Sequence, residues 1–196
     1  MPNRTVRAFF AAANYAPDVN HSPPGVVLVE NCDMQNGAWG MCVHNGAAAQ
    51  VSNCVIHHNK GTGVNVYGGA TLELIESEIC NNKGRGVSVS DNDTELVMRG
   101  NSVHHSSDGV YVYGKAKLTM EENFVHSNSD SGVTVHESGT NASIRRNFLH
   151  GNGSGASPVA GSVREGSGEE GVVTRRWWQV GRCSDLRGGG RSGHGQ

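Results

Sequence analysis

The 196-residue chain has room for one ordinary domain, and its composition is 36% hydrophobic, 6% aromatic and rich in glycine, with 28 residues. That glycine load argues against a helical bundle, and five prolines without a Gly-X-Y triplet argue against a collagen-like chain. A net charge of -2 supplies no basic field for nucleic acid, and no apolar run approaches the roughly 20 residues of a membrane helix. Cys32, Cys42, Cys54, Cys80 and Cys183 are scattered, odd in number and without a CxxC pair. They read as free, partly buried thiols in a reducing, intracellular setting rather than as a disulfide framework or zinc module.

Residues 1–25 hold Pro17, Pro23 and Pro24 and read as an irregular N-terminal cap over the first repeat. Their apolar patch, Ala8 to Ala13, is shorter than a secretory h-region and is broken by Asn14 and Tyr15, so no leader is expected.

Repeats then dominate. Gly40, Gly63, Gly86, Gly109, Gly132 and Gly155 fall 23 residues apart. The first five open Gly40-Met-Cys-Val, Gly63-Val-Asn-Val, Gly86-Val-Ser-Val, Gly109-Val-Tyr-Val and Gly132-Val-Thr-Val. Each predicts a short strand with two apolar residues pointing one way and the middle residue the other. A second alternating strand follows at Leu72 and Leu74, Leu96 and Met98, Leu118 and Met120, then Ala142 and Ile144. A third apolar position recurs as Ile56, Ile79, Val103, Val125 and Leu149, preceded two residues earlier by Cys54, Ser77, Asn101, Asn123 and Asn147. Two repeats carry an extra loop residue, at 91–94 and 137–141, yet the step to the next Gly is unchanged. Insertions fall in turns while strands keep phase, as stacked coils require.

Three short strands without a helix cannot close a sheet within one repeat, but stacking lets each strand pair in parallel with its counterparts about 4.8 Å above and below. Gly then relieves a tight corner. The expected fold class is all-β, a right-handed parallel β-helix of five to six coils over residues 26–155, with Val64, Val66, Val87, Val89, Val110, Val112, Val133 and Val135 inside. Residues 156–196 are Gly/Ser/Arg-rich with an isolated Trp177-Trp178 pair and read as a low-complexity, disordered tail.

The segments GVNVYGGATLELIESEICNNKGRGVSVS and GVYVYGKAKLTMEENFVHSNSDSGVTV resemble the repeats of pectate-lyase-like, right-handed parallel β-helix proteins. The resemblance implies the fold over about residues 26–155. It leaves activity open, because the family holds polysaccharide lyases, hydrolases and epimerases as well as noncatalytic domains. It also implies that a ligand groove, where present, lies on outward residues of stacked strands.

Beside the Gly-Val-x-Val strands those outward residues are Cys42, Asn65, Ser88, Tyr111 and Thr134, followed two positions later by His44, Tyr67, Ser90, Tyr113 and His136. Tyr67, Tyr111, Tyr113, His136 and Asn65 form the expected ligand face, suited to stacking with hydrogen bonding. Neither column contains Asp, Glu, Lys or Arg, so the carboxylate pair of a hydrolase and the base and cation of a lyase are missing there. Asp91, Asp93, Asp108 and Asp130 sit where turns favour Asp, and Gly193-His194-Gly195 lacks accompanying acidic motifs.

Histidines form the other constellation: His57, His104, His126 and His150 share a column with Cys80. His104, His126 and His150 are the candidate metal ligands, weighed against a solvent-facing turn ladder, because no carboxylate partner is legible beside them. Arg99, Glu121 and Arg145 alternate in sign along one column, and Glu95 and Lys117 share another, as structural pairs.

The resulting expectation is a noncatalytic scaffold that presents a ribbed face to a protein or glycan partner. The alternative is a divergent carbohydrate-active enzyme. No cofactor, nucleic acid or membrane is implied, and a monomer is expected.

Overall fold

The computed structural model describes residues 25–153, together with the short strands 4–6, 9–12, 156–158 and 162–165. It is a right-handed solenoid of three parallel seven-stranded sheets with no helix among the described residues. The Leu/Met sheet contains β3 (Val27–Glu30), β6 (Ala48–Ser52), β9 (Thr71–Ile75), β12 (Glu95–Arg99), β15 (Lys117–Glu121), β18 (Asn141–Arg145) and β21 (Ser162–Glu165). The histidine sheet contains β1 (Arg4–Val6), β4 (Cys32–Gln35), β7 (Val55–His57), β10 (Glu78–Cys80), β13 (Ser102–His104), β16 (Phe124–His126) and β19 (Phe148–His150). The Val-x-Val sheet contains β2 (Phe9–Ala12), β5 (Met41–His44), β8 (Val64–Val66), β11 (Val87–Val89), β14 (Val110–Val112), β17 (Val133–Val135) and β20 (Ala156–Pro158).

Five complete coils run from β3 to β17, and β18 and β19 begin a sixth. Strands β1 and β2 pair in parallel with β4 and β5, so two sheets extend into residues 1–25. At the other end β20 and β21 pair with β17 and β18. The cap and tail expected for the rest of those two segments lie outside the described residues.

Register follows the repeat. Val64, Val87, Val110 and Val133 face one another along one column, and Leu72, Leu96, Leu118 and Ala142 along another. All eight expected inward valines are buried, and Ile56, Ile79, Val103 and Val125 complete the core from the third side. Period-2 alternation explains this, because one residue of slip would turn every Val of a strand outward.

Corners are equally regular. A left-handed residue ends each pass of the Leu/Met sheet, at Asn31, Asn53, Glu76, Gly100, Glu122 and Arg146. Another ends each pass of the histidine sheet, at Asn36, His58, Asn81, His105, Ser127 and Gly151. The repeat glycine is not one of these: Gly63 has no left-handed φ, yet a Cβ there would lie 2.7 Å from Asn82 Nδ2 and 2.7 Å from the Gly86 carbonyl oxygen. Its role is space for the next coil's backbone, not conformational freedom.

Buried Asn ladders line two corners. Asn123 Oδ1 accepts from Asn101 N and Asn101 Nδ2, each at 2.9 Å, while Asn123 Nδ2 donates to the Met98 carbonyl at 3.0 Å and to Asn147 Oδ1 at 2.9 Å. The second ladder runs Asn59, Asn82, Ser106, Asn128, Asn152, and the sequence gives no warning that these polar residues turn inward. Asn82 Oδ1 accepts from Asn59 N and Nδ2, and Asn152 Oδ1 does the same for Asn128. Ser106 interrupts it, and its buried Oγ has no hydrogen-bond partner among the described residues.

Two outcomes follow from this packing. Gly63→Ala forces backbone apart at a corner and is expected to destabilise the chain by about 1–3 kcal/mol in urea unfolding. Ser106→Asn gives Asn82 the acceptor that the other rungs possess. It should stabilise by about 1 kcal/mol, seen as a melting temperature roughly 2–4 °C higher; an unchanged or lower value would show that the ladder does not govern the corner.

Candidate functional site

The outward face of the Val-x-Val sheet brings Tyr111, Tyr113 and His136 together and places Tyr67 and Asn65 two coils from the tyrosine pair. Tyr111 and Tyr113 stand edge to face with ring centroids 5.5 Å apart, and His136 of the next coil lies 6.3 Å from Tyr111. Tyr67 stacks on His44 at 5.2 Å with an interplanar angle of 7°. The column between them is not uniformly wet: Cys42, Ser88, Ser90 and Thr134 are buried, whereas Asn65, Tyr67, Tyr111 and Tyr113 are half-buried and His136 is exposed. Large rings on alternate coils cover their small neighbours. Tyr67 shares a hydrogen bond with the Cys42 thiol, which raises the phenol, and burial raises that thiol.

Sequence reading missed the charge beside this face. Arg85, from the turn before β11, lays its guanidinium 3.6 Å from the Tyr111 ring centre, and its Nε lies 3.5 Å from Asp108 Oδ2. The columns themselves lack charge, but the turn supplies a cation that covers one face of Tyr111.

On the histidine sheet the expected column forms, with His104 opposite His126 and His126 opposite His150. His104 and His126 stack at 4.6 Å with an interplanar angle of 15°. Phe124 and Phe148 extend the cluster, with rings 4.1 Å from His126 and 5.9 Å from His150. Carboxylate partners, absent from the sequence pattern, are present: Asp33 Oδ1 lies 2.8 Å from His57 Nε2 and Glu78 Oε1 lies 3.0 Å from His104 Nε2. Each carboxylate lies in register with the residue two before its histidine, Asp33 with Val55 and Glu78 with Ser102, 24 and 26 residues from His57 and His104, a diagonal that single-column reading does not inspect. Cys80 Sγ also lies within 4.8 Å of ligand-type atoms of Glu78 and His104, but as a disulfide sulfur it offers no thiolate.

The family described as right-handed β-helix region matches residues 11–149. The chain belongs to that family. No curated protein matches the chain closely enough to serve as a relative.

In this right-handed β-helix the remaining charges bind coil to coil. Arg99 Nη1 lies 2.6 Å from Glu73 Oε1 and its Nε 3.8 Å from Glu121 Oε2, while Glu121 pairs with Arg146 rather than with its register partner Arg145. These exposed pairs contribute about 0.2–1 kcal/mol each. Cys32, Cys42 and Cys54 are free thiols, and burial pushes Cys54 up to about 11, so it is a packing residue and not a nucleophile. Cys80 departs from the expectation of free thiols, since it is already engaged in a disulfide.

Burial lowers His126 to about 4, helped by the neighbouring His104, His105 and His150. Its folded value lies below the ordinary one, so the unfolded chain takes the proton first. The stabilisation is complete above about pH 6.5 and is lost as pH falls through about 4. Urea midpoints at pH 7.5 and 5.0 are therefore expected to drop further for the wild type than for His126→Gln; equal drops would exclude His126 as the responsible group.

Proposed function

We propose that this β-helix is a noncatalytic scaffold whose Val-x-Val sheet binds a glycan or protein partner across Tyr67, Tyr111, Tyr113, His136 and Asn65. The observation that carries the reading is the spacing of rings around small hydroxyls. Tyr67 and Tyr113 occupy the same outward column two coils apart, with buried Ser90 between them. Two strand spacings separate their backbones by roughly 9.6 Å. A ring lying across that interval meets aromatic flanks, the Ser90 shelf and the Arg85 guanidinium held on Tyr111. Apolar faces with equatorial hydroxyls suit this combination, so a glycan fits it better than a flat protein surface.

The carboxylates beside this face are engaged with the chain: Asp91 Oδ2 accepts from Gly68 N at 3.0 Å and Glu137 Oε2 from Gly114 N at 3.1 Å. Asp108 lies 3.5 Å from Arg85 Nε and accepts from Ser131 N at 3.3 Å. Hydrolysis of a glycosidic bond uses two carboxyl groups flanking the scissile bond as acid and base.

The test is a glycan array and an uronate-release assay on the full chain. Binding is expected without release of product, and Tyr113→Ala should weaken it about 3–10-fold while leaving the melting curve unchanged. Turnover that survives the tyrosine change and is lost in Asp108→Asn would establish the enzyme reading instead.

A further inference from the structure

Two relays of the same design stand on the histidine sheet. In the first, Asp33 Oδ1 lies 2.8 Å from His57 Nε2, and His57 Nδ1 lies 2.6 Å from His58 Nδ1. In the second, two coils on, Glu78 Oε1 lies 3.0 Å from His104 Nε2, and His104 Nδ1 lies 2.7 Å from His105 Nδ1. Each time one coil supplies the carboxylate and the next supplies the His-His pair. Asp33 and His57 are buried, Glu78 and His104 are nearly so, and His58 and His105 are exposed.

The carboxylate settles where the protons lie. An ionised carboxylate only accepts, so the inner imidazole carries its hydrogen on Nε2 and keeps a bare lone pair on Nδ1. Two bare nitrogens would repel at this separation, so the outer imidazole holds its hydrogen on Nδ1, between the rings. The backbone does not ask for histidine at the outer position. His58 and His105 have φ of 52° and 53°, and Asn36 and Asn81 fill the same left-handed corner in neighbouring coils. Asn suits that conformation at least as well as His, so the corner accepts either.

We propose that each carboxylate-backed His-His pair chelates one divalent transition-metal ion of the zinc type, the ion taking the place of the proton between the two Nδ1 atoms. Zinc–nitrogen bonds of 2.0–2.1 Å at a tetrahedral angle place the two nitrogens roughly 3.3 Å apart. The rings need only part by about 0.6–0.7 Å, and the exposed outer imidazole can swing by that much. It passes its Nδ1 proton to water and takes one at Nε2, so the exchange is proton-neutral. The carboxylate behind the inner ring is the partner that metal-binding imidazoles usually have, fixing the tautomer and raising ligand basicity. Water fills the remaining positions. The proposal stands apart from the tyrosine face and does not depend on it.

The experiment is calorimetric titration of the full chain with Zn²⁺, with Co²⁺ absorption as a second readout. The wild type is expected to take up two equivalents saturably. His58→Asn and His105→Asn should each remove one, and the double variant both, with unchanged circular dichroism because Asn suits the corner. Asp33→Asn should weaken one site about 10–100-fold without abolishing it. No saturable uptake by the wild type, or two equivalents persisting in the double variant, would overturn the proposal.

Discussion

Everything in this molecule depends on coils approaching to one strand spacing, about 4.8 Å, along all three sheets at once. Main-chain bonds such as Val64 N to the Gly86 carbonyl at 2.9 Å, Val87 N to Gly109 and Val110 N to Gly132 hold that spacing beside the glycines. A side chain at Gly63 or Gly109 would meet the next coil's carbonyl before the strands could pair. The 23-residue step is therefore a packing requirement: any drift in phase would bring a Cβ to the place where only hydrogen fits. Extra residues at 91–94 and 137–141 fall in the third corner, where Asp91 and Thr94 accept from Gly68 N and Gly69 N, and Glu137 and Thr140 from Gly114 N and Lys115 N.

The same constraint converts sequence columns into physical ladders, inside and outside. Inside, Val, Leu and Ile stack into a continuous core without any single coil closing on itself. At the corners the turns leave backbone groups that neither sheet can pair, and buried Asn side chains reach from one coil to the next to satisfy them. A buried amide is tolerable only in such company, since each one depends on the next for its acceptor.

Much of this was legible in the chain itself. The glycine step, the alternation of Val and the outward placement of Tyr67, Tyr111, Tyr113 and His136 all depend on spacing along one column, which a sequence displays directly. Diagonal contacts were not legible. Arg85 reaches Tyr111 from a turn, Asp33 reaches His57 and Glu78 reaches His104, each joining different columns of neighbouring coils. Their sequence separations of 24 to 26 residues lie just off the 23-residue step, so reading down columns passes them by. The inward turn of Asn59, Asn82 and Asn128 was hidden for a different reason: Asn at a bend is ordinary, and only the missing backbone partners show why it is buried.

The two outer faces differ because their strands end differently. On the Val-x-Val sheet the outward columns mix Cys, Asn, Ser and Thr with Tyr and His, and the small Ser88 and Ser90 separate Tyr67 from the Tyr111 and Tyr113 pair, leaving a ribbed surface with apolar ridges. On the histidine sheet imidazoles follow one another without small residues between His104 and His126, so the rings stack and exclude water from each other. Neutral imidazoles at that separation tolerate burial, whereas charged ones would repel along the whole ladder. Glu78 and Asp33 stand at its edge, where a carboxylate can orient an inner ring without placing a like charge beside another acid. A stack of otherwise equivalent coils thus acquires two chemically distinct sides from nothing more than which side chains occupy the outward positions of three-residue strands.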